Sequence, residues 1–137
     1  MLILEKVTKY FNRGTINEVL ALNGLDLIVE RGDFITIIGS NGAGKSTMLN
    51  GIAGCFTPDS GRLVLSSRDI SKWPEYKRAK FIGRVFQDPL RGTCASATIE
   101  QNMALAKKRG ERRGFSLGVK SKDREFFREK LSTLGLG

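Results

Sequence analysis

The sequence predicts an α/β fold, and three adjoining segments carry that prediction. Phe34-Ile35-Thr36-Ile37-Ile38 is apolar or β-branched at nearly every position, the pattern of a strand buried on both faces of a parallel sheet. Gly39-Ser40-Asn41-Gly42-Ala43-Gly44-Lys45-Ser46 follows directly, a glycine-rich loop. Ser46 to Cys55 then has helical spacing, with Met48, Leu49, Ile52 and Ala53 available to one face.

The remaining elements follow in chain order. Leu2-Ile3-Leu4-Glu5-Lys6-Val7 reads as a first strand, with a polar loop around Asn12-Arg13-Gly14. Leu25 to Val29 alternates apolar and polar residues and reads as a second strand. Glu30-Arg31-Gly32-Asp33 is a turn; its Arg-Gly-Asp tripeptide also matches an adhesion motif, but a hairpin turn is the reading favoured here. Pro58-Asp59-Ser60-Gly61 is a second turn, leading into a strand at Arg62-Leu63-Val64-Leu65. A short helix is expected from Glu75 to Lys80 and an apolar strand at Ile82-Gly83-Arg84-Val85-Phe86. Thr98-Ile99-Glu100-Gln101 has capping-box spacing and opens a helix to about Lys108. A loop is expected from Gly110 to Gly118, then a helix from Ser121 to Leu134 with a basic exposed face.

Composition sets the outer bounds. A chain of 137 residues suffices for one domain, and 40% hydrophobic with 27% charged residues is ordinary for a soluble globular protein. No apolar run approaches the roughly 18 residues that span a bilayer. Glu5 and Lys6 interrupt the N-terminus where a secretion signal would be apolar, so a cytoplasmic location is expected. Cys55 and Cys94 lack Cys-x-x-Cys spacing and read as small buried side chains or free thiols. With no histidine, histidine-based catalysis and a zinc site are excluded within this stretch. The net charge of +9 is concentrated between Lys107 and Lys130, where ten basic residues face four acidic ones. Such a segment suits nucleic acid, anionic lipid or an acidic partner, or is simply a solvated helix face.

Strand, Gly-x-x-x-x-Gly-Lys-Ser and helix together form the arrangement that phosphate binding requires. Gly39, Gly42 and Gly44 permit tight turning and bring the backbone close to an anion. The amides from about Gly42 to Thr47 converge on a β-phosphate, aided by the positive end of the helix dipole. Lys45 supplies charge to the β- and γ-phosphates, and the Ser46 hydroxyl is a hard ligand suited to Mg²⁺.

Gly39 to Thr47, with Asn41-Gly42-Ala43-Gly44 at its centre and Met48-Leu49 after it, closely resembles the phosphate loop of ATP-binding-cassette (ABC) ATPases. Val7-Thr8-Lys9-Tyr10-Phe11 looks like that family's aromatic loop, whose last ring stacks on adenine. By this register Phe11 is the stacker, with Tyr10 as the alternative; without the resemblance either aromatic would read as core. Pro58 to Gly61 matches the turn after the first helix, and Thr98 to Asn102 resembles the start of the helical subdomain. Val85-Phe86-Gln87-Asp88-Pro89 resembles the glutamine loop, so Gln87 is expected to bind Mg²⁺ or orient the attacking water.

The resemblance implies a P-loop NTPase fold of the ABC ATPase type: an antiparallel β-subdomain, part of the parallel core, and the start of the helical subdomain. Residues 1–90 would hold the first two and residues 91–137 the third. It implies ATP and Mg²⁺ as cofactors, Lys45 and Gln87 in catalysis, and Ser46 and Gln87 at the metal. The implied partners are a second nucleotide-binding domain arranged head to tail, transmembrane permease subunits, and through them a solute-binding protein. This places the protein on the inner face of the membrane. The region Lys72-Trp73-Pro74-Glu75-Tyr76 is similar to importer ATPases. A soluble ABC-type ATPase acting on nucleic acid or ribosomes is the rival; the lack of zinc-type cysteines and of a long coiled-coil insertion argues against it.

Leu134-Gly135-Leu136-Gly137 resembles the stretch just before the family's Leu-Ser-Gly-Gly-Gln signature. The signature, the Asp-Glu strand and the switch histidine do not occur in these residues. The expectation is therefore the front portion of a domain, inactive by itself, with buried-type strands left unpaired and prone to association.

Overall fold

The computed structural model describes residues 1–111 and 118–136. Arg112 and Arg113, and most of the loop expected from Gly110 to Gly118, lie outside the described residues. The chain divides into two units, Met1–Arg78 and Ala79–Gly137.

In the first unit, the strands β1 (Leu2–Phe11) and β2 (Val19–Val29) form an antiparallel hairpin. β3 (Ser60–Leu65) adds to the other edge of β1, and β4 (Arg68–Asp69) follows it, giving the order β2-β1-β3-β4. Both β1 and β2 are longer than their alternation suggests. Val7 to Phe11, expected as a loop, continues β1, with Tyr10 opposite Leu20 and Phe11 opposite Val19. Cross-strand pairing supplies what the polar residues lacked in pattern.

β1 carries a bulge. Leu4 and Val7 are both buried, although strict alternation would put residues three apart on opposite faces. Lys6 takes a positive φ of 46° and its amide donates to Asp26 Oδ1 at 2.8 Å. The extra residue resets the alternation and lets Leu4 and Val7 share one face. Opposite the bulge stands Gly61, with φ 81°; a Cβ there would lie 2.3 Å from the Lys6 carbonyl oxygen. Only glycine fits.

Helix α1 (Lys45–Ala53) ends at Gly54 (φ 93°), whose amide donates to the Asn50 carbonyl at 3.0 Å. Its Met48 is buried, as are Leu4, Val7, Leu22, Leu63 and Ile70, the apolar core of this unit. The short helix α2 (Glu75–Arg78) contributes Arg78, only 1% exposed. Arg78 donates to the carbonyls of Gly51 (2.7 Å), Ile52 (3.1 Å), Ser71 (3.0 Å) and Trp73 (2.9 Å). It thus satisfies carbonyls at the C-terminal end of α1, where a cation also favours the helix dipole. Burial pushes the Arg78 guanidinium below its usual value.

Two expected strands are corrected. Phe34 to Ile38 and Ile82 to Phe86 form no regular element and belong to no sheet among the described residues. Phe34 is 95% exposed, Ile38 89% and Val85 98%. An apolar run becomes a strand only when neighbouring strands take up its amides and carbonyls, and neither segment is hydrogen-bonded into the four-stranded sheet.

In the second unit a 3₁₀ turn, Pro89–Gly92, precedes α3 (Ile99–Lys107) and α4 (Ser121–Ser132). The capping box expected at Thr98 is present: its hydroxyl accepts from the Gln101 amide at 3.2 Å, and Gln101 Oε1 accepts from the Thr98 amide at 2.9 Å. Ala104 and Phe127 are buried. Lys107 pairs with Asp123 and Arg124 with Glu100, joining α3 to α4. Solvent screening leaves such pairs contributing little to stability. Part of the charge on this basic segment is thereby neutralised locally.

Candidate functional site

Residues 39–44 run from the segment Phe34 to Ile38 into α1, and their geometry follows from three glycines and one lysine. Gly42 and Gly44 take φ values of 86° and 83°, a region that side chains resist. A Cβ on Gly44 would also meet the Ala21 carbonyl oxygen at 2.6 Å, so β2 presses against the end of the loop. At Gly42 a Cβ would meet nothing within 4 Å. The loop closes on itself where the Ala43 amide donates to the Ser40 carbonyl at 3.2 Å. Lys45 folds back over it, its ammonium donating to the carbonyls of Gly39 and Ser40, both at 2.7 Å. One charge is thus held on the loop.

α1 begins at Lys45 with Gly44 as its cap, no side chain bonding to its first amides and no acidic residue in its first turn. No carboxylate of its own first turn offsets the positive end of the helix, and its amides suit a phosphate. Ser46 is exposed at this end and Thr47 is half-buried. This arrangement fits a magnesium nucleotide: Asn41 to Thr47 would hold phosphate oxygens, and the Ser46 hydroxyl the metal. Magnesium bound there would neutralise phosphate charge.

Phe11 and Tyr10 end β1 in the same unit. Phe11 is 37% exposed and meets Phe56 edge-on, with ring centroids 5.5 Å apart. Tyr10 is half-buried, with the Arg13 guanidinium 5.0 Å from its ring centre. Their backbone is fixed by Asp59, from the turn after α1. Asp59 Oδ2 accepts from the Tyr10 amide at 2.7 Å, and the Asp59 amide donates to the Thr8 carbonyl at 2.9 Å. Lys9 pairs with Asp59 at 3.3 Å and donates to the Thr57 carbonyl at 3.0 Å. The Tyr10 amide, and then Lys9, hold the Asp59 carboxyl below the usual carboxylate range.

Sequence reasoning passed over Asp59, Lys9 and Phe56 as functional positions. Asp59 stood in plain view within the turn motif, but its partners are 49 and 50 residues away, and no periodicity reports such a contact. Gln87 belongs to the second unit, exposed in a bend before the 3₁₀ turn, where Asp88 Oδ1 accepts from the Leu90 amide at 3.0 Å. Cys55 and Cys94 are exposed and outside any disulfide, so the reading of them as small buried side chains is corrected.

Among the described residues no helix is long and apolar enough to cross a membrane. Residues 22–137 match the ABC transporter family. The chain is 41% identical over 111 residues to a tyrosine transport ATP-binding protein of Clostridioides difficile, covering 81% of this chain and 44% of that protein. It is 42% identical over 106 residues to the methionine import ATP-binding protein MetN of Corynebacterium efficiens, covering 74% and 30%. It is 41% identical over 92 residues to the macrolide export ATP-binding/permease protein MacB of Campylobacter fetus, covering 64% and 14%. The chain thus spans less than half the length of these relatives. Its structure superposes with a TM-score of 0.77 at 28% identity on the ATP-binding cassette MJ0796 in a dimeric post-hydrolysis state bound to ADP and Pi, covering 100% of this chain and 58% of that one. A phosphate loop of this geometry, a sheet of this order and similarity along most of its length lead to one conclusion: the chain belongs to the ABC transporter family.

Proposed function

We propose that the complete protein is the ATP-binding subunit of an importer, coupling ATP binding and hydrolysis to solute uptake. The observation that carries the nucleotide site is the loop from Gly39 to Ser46, where a lysine ammonium and the start of α1, without an acidic residue in its first turn, occupy the same few residues. In this reading Gly39, Asn41, Gly42, Ala43, Gly44, Lys45, Ser46 and Thr47 hold the triphosphate, and Phe11, or Tyr10 beside it, stacks on the base. Ser46 and Gln87 serve the magnesium, and Gln87 also orients the attacking water. Residues 1–90 are assigned to the β-subdomain and phosphate-loop core, and residues 91–137 to the start of the helical subdomain. Hydrolysis belongs to the complete protein, working as a head-to-tail pair with permease subunits at the inner face of the membrane. A solute-binding protein would deliver the cargo. Import is supported by the likeness of Lys72 to Tyr76 to importer ATPases, while the relatives include an import and an export protein.

The test is magnesium-ATP affinity in the complete protein. Lys45→Ala removes a charged donor worth about 1.5–3 kcal/mol, so affinity should fall by roughly 10- to 100-fold. Gln87→Ala should leave affinity nearly intact while hydrolysis drops. Unchanged affinity in Lys45→Ala would mean the loop does not hold phosphate.

A further inference from the structure

Phe56 is the side chain that physically connects the phosphate-binding helix to the aromatic end of β1. It sits two residues beyond the Gly54 cap of α1, and its ring touches both sides. On one side its edge meets the Phe11 ring at 5.5 Å between centroids and 85° between planes. On the other it lies against Gly51, a buried position in the last turn of α1, where a Cβ would come within 3.3 Å of both Cε2 and Cζ of Phe56. A glycine within a helix is disfavoured relative to alanine; at Gly51 it leaves the room that the Phe56 ring fills. The Lys9 ammonium adds to the cluster, 5.8 Å from the Phe11 ring centre and 5.4 Å from that of Phe56. Asp59 and Thr57 hold that ammonium in place.

We infer that Phe56 is a positioning residue for base recognition: wedged between Gly51 of α1 and Phe11 of β1, it sets the Phe11 ring at a fixed place relative to the helix that starts at the phosphate loop. Phe11 stands at a strand end, partly exposed, with its backbone paired to Val19 and its ring meeting Phe56 and the Lys9 ammonium. The edge-on contact limits the rotation of its ring, and the contact with α1 transmits the position of the phosphate-binding end. This inference rests on the reading of Phe11 as the base-stacking residue.

The experiment measures, in the complete protein, affinity for magnesium ATP and for magnesium tripolyphosphate, which has no base. Phe11→Ala, Phe56→Ala, Phe56→Leu and the double variant Phe11→Ala/Phe56→Ala are compared. Phe56→Leu keeps an apolar group against Gly51 and guards against loss of folding in the alanine variant. The expected result is a three- to tenfold loss of ATP affinity in each single variant, with tripolyphosphate affinity unchanged. The double variant should be no weaker than Phe11→Ala, because Phe56 acts through Phe11. If Phe11→Ala weakens ATP and both Phe56 variants do not, the positioning role is overturned while base stacking by Phe11 stands. Equal losses for ATP and tripolyphosphate in both Phe56 variants also overturn it, since Phe56 would then be supporting the fold alone. If Phe11→Ala leaves ATP affinity untouched, the stacking reading fails and the inference falls with it.

Discussion

Two glycines separated by one residue behave differently. Gly42 and Gly44 share a left-handed φ, but only Gly44 is crowded, by the Ala21 carbonyl. Gly42→Ala should therefore cost only the strain of the conformation, about 1 kcal/mol. Gly44→Ala adds a contact with backbone that cannot swing aside and should cost at least about 2 kcal/mol more. Denaturant midpoints of the two variants of the complete protein test this; equal destabilisation would place the Ala21 contact elsewhere. Asp59 gives a prediction in pH. Its folded pKa lies below the ordinary value of 3.8 because the Tyr10 amide and then Lys9 favour the carboxylate. The stabilisation is therefore complete above the unfolded value and is lost only as pH falls through the folded one. The Tyr10 amide proton resonance should accordingly titrate with a midpoint below 3.8. A midpoint at or above that value would show that the carboxylate is not held by this amide. The motif containing Asp59 was legible, but its bond to β1 was not, because the partners meet only after the strand and the turn have folded together.

At the scale of elements, local chemistry was the readable part. α3 starts where Thr98 and Gln101 satisfy each other's amides, and α1 starts where the glycines end. Thr98→Ala should destabilise α3 by about 1 kcal/mol, seen as roughly fivefold faster exchange of its first amides. Unchanged exchange would mean that packing against α4 alone holds the helix end. The bulge at Lys6 was less readable. Its sequence alternates poorly, and the reason, a glycine on the adjacent strand β3 and an aspartate on β2, is visible only once three strands are side by side. Arg78 left no signal either, since a basic residue in a short helix ordinarily faces water. Here four carbonyls surround it.

For the whole molecule, the exposed apolar segments dominate. Phe34, Ile38 and Val85 are almost entirely open to water, more apolar exposure than monomeric surfaces usually tolerate. The 137-residue chain by itself should bind a hydrophobic dye and associate as its concentration rises. Sedimentation as a single monomeric species, with no dye response, would contradict this.

The order of residues by itself determined the phosphate loop, the helix that follows it, the capped start of α3 and the family likeness, because each depends on neighbours within a few positions. The tertiary structure decided the bulge, the Asp59 clasp, the burial of Arg78 and the contact of Phe56 with Gly51 and Phe11. It also decided that Phe34 to Ile38 forms no strand among the described residues. These outcomes depend on groups brought together across long stretches of chain, and a hydrophobic pattern states what a segment can bury without stating what is there to cover it.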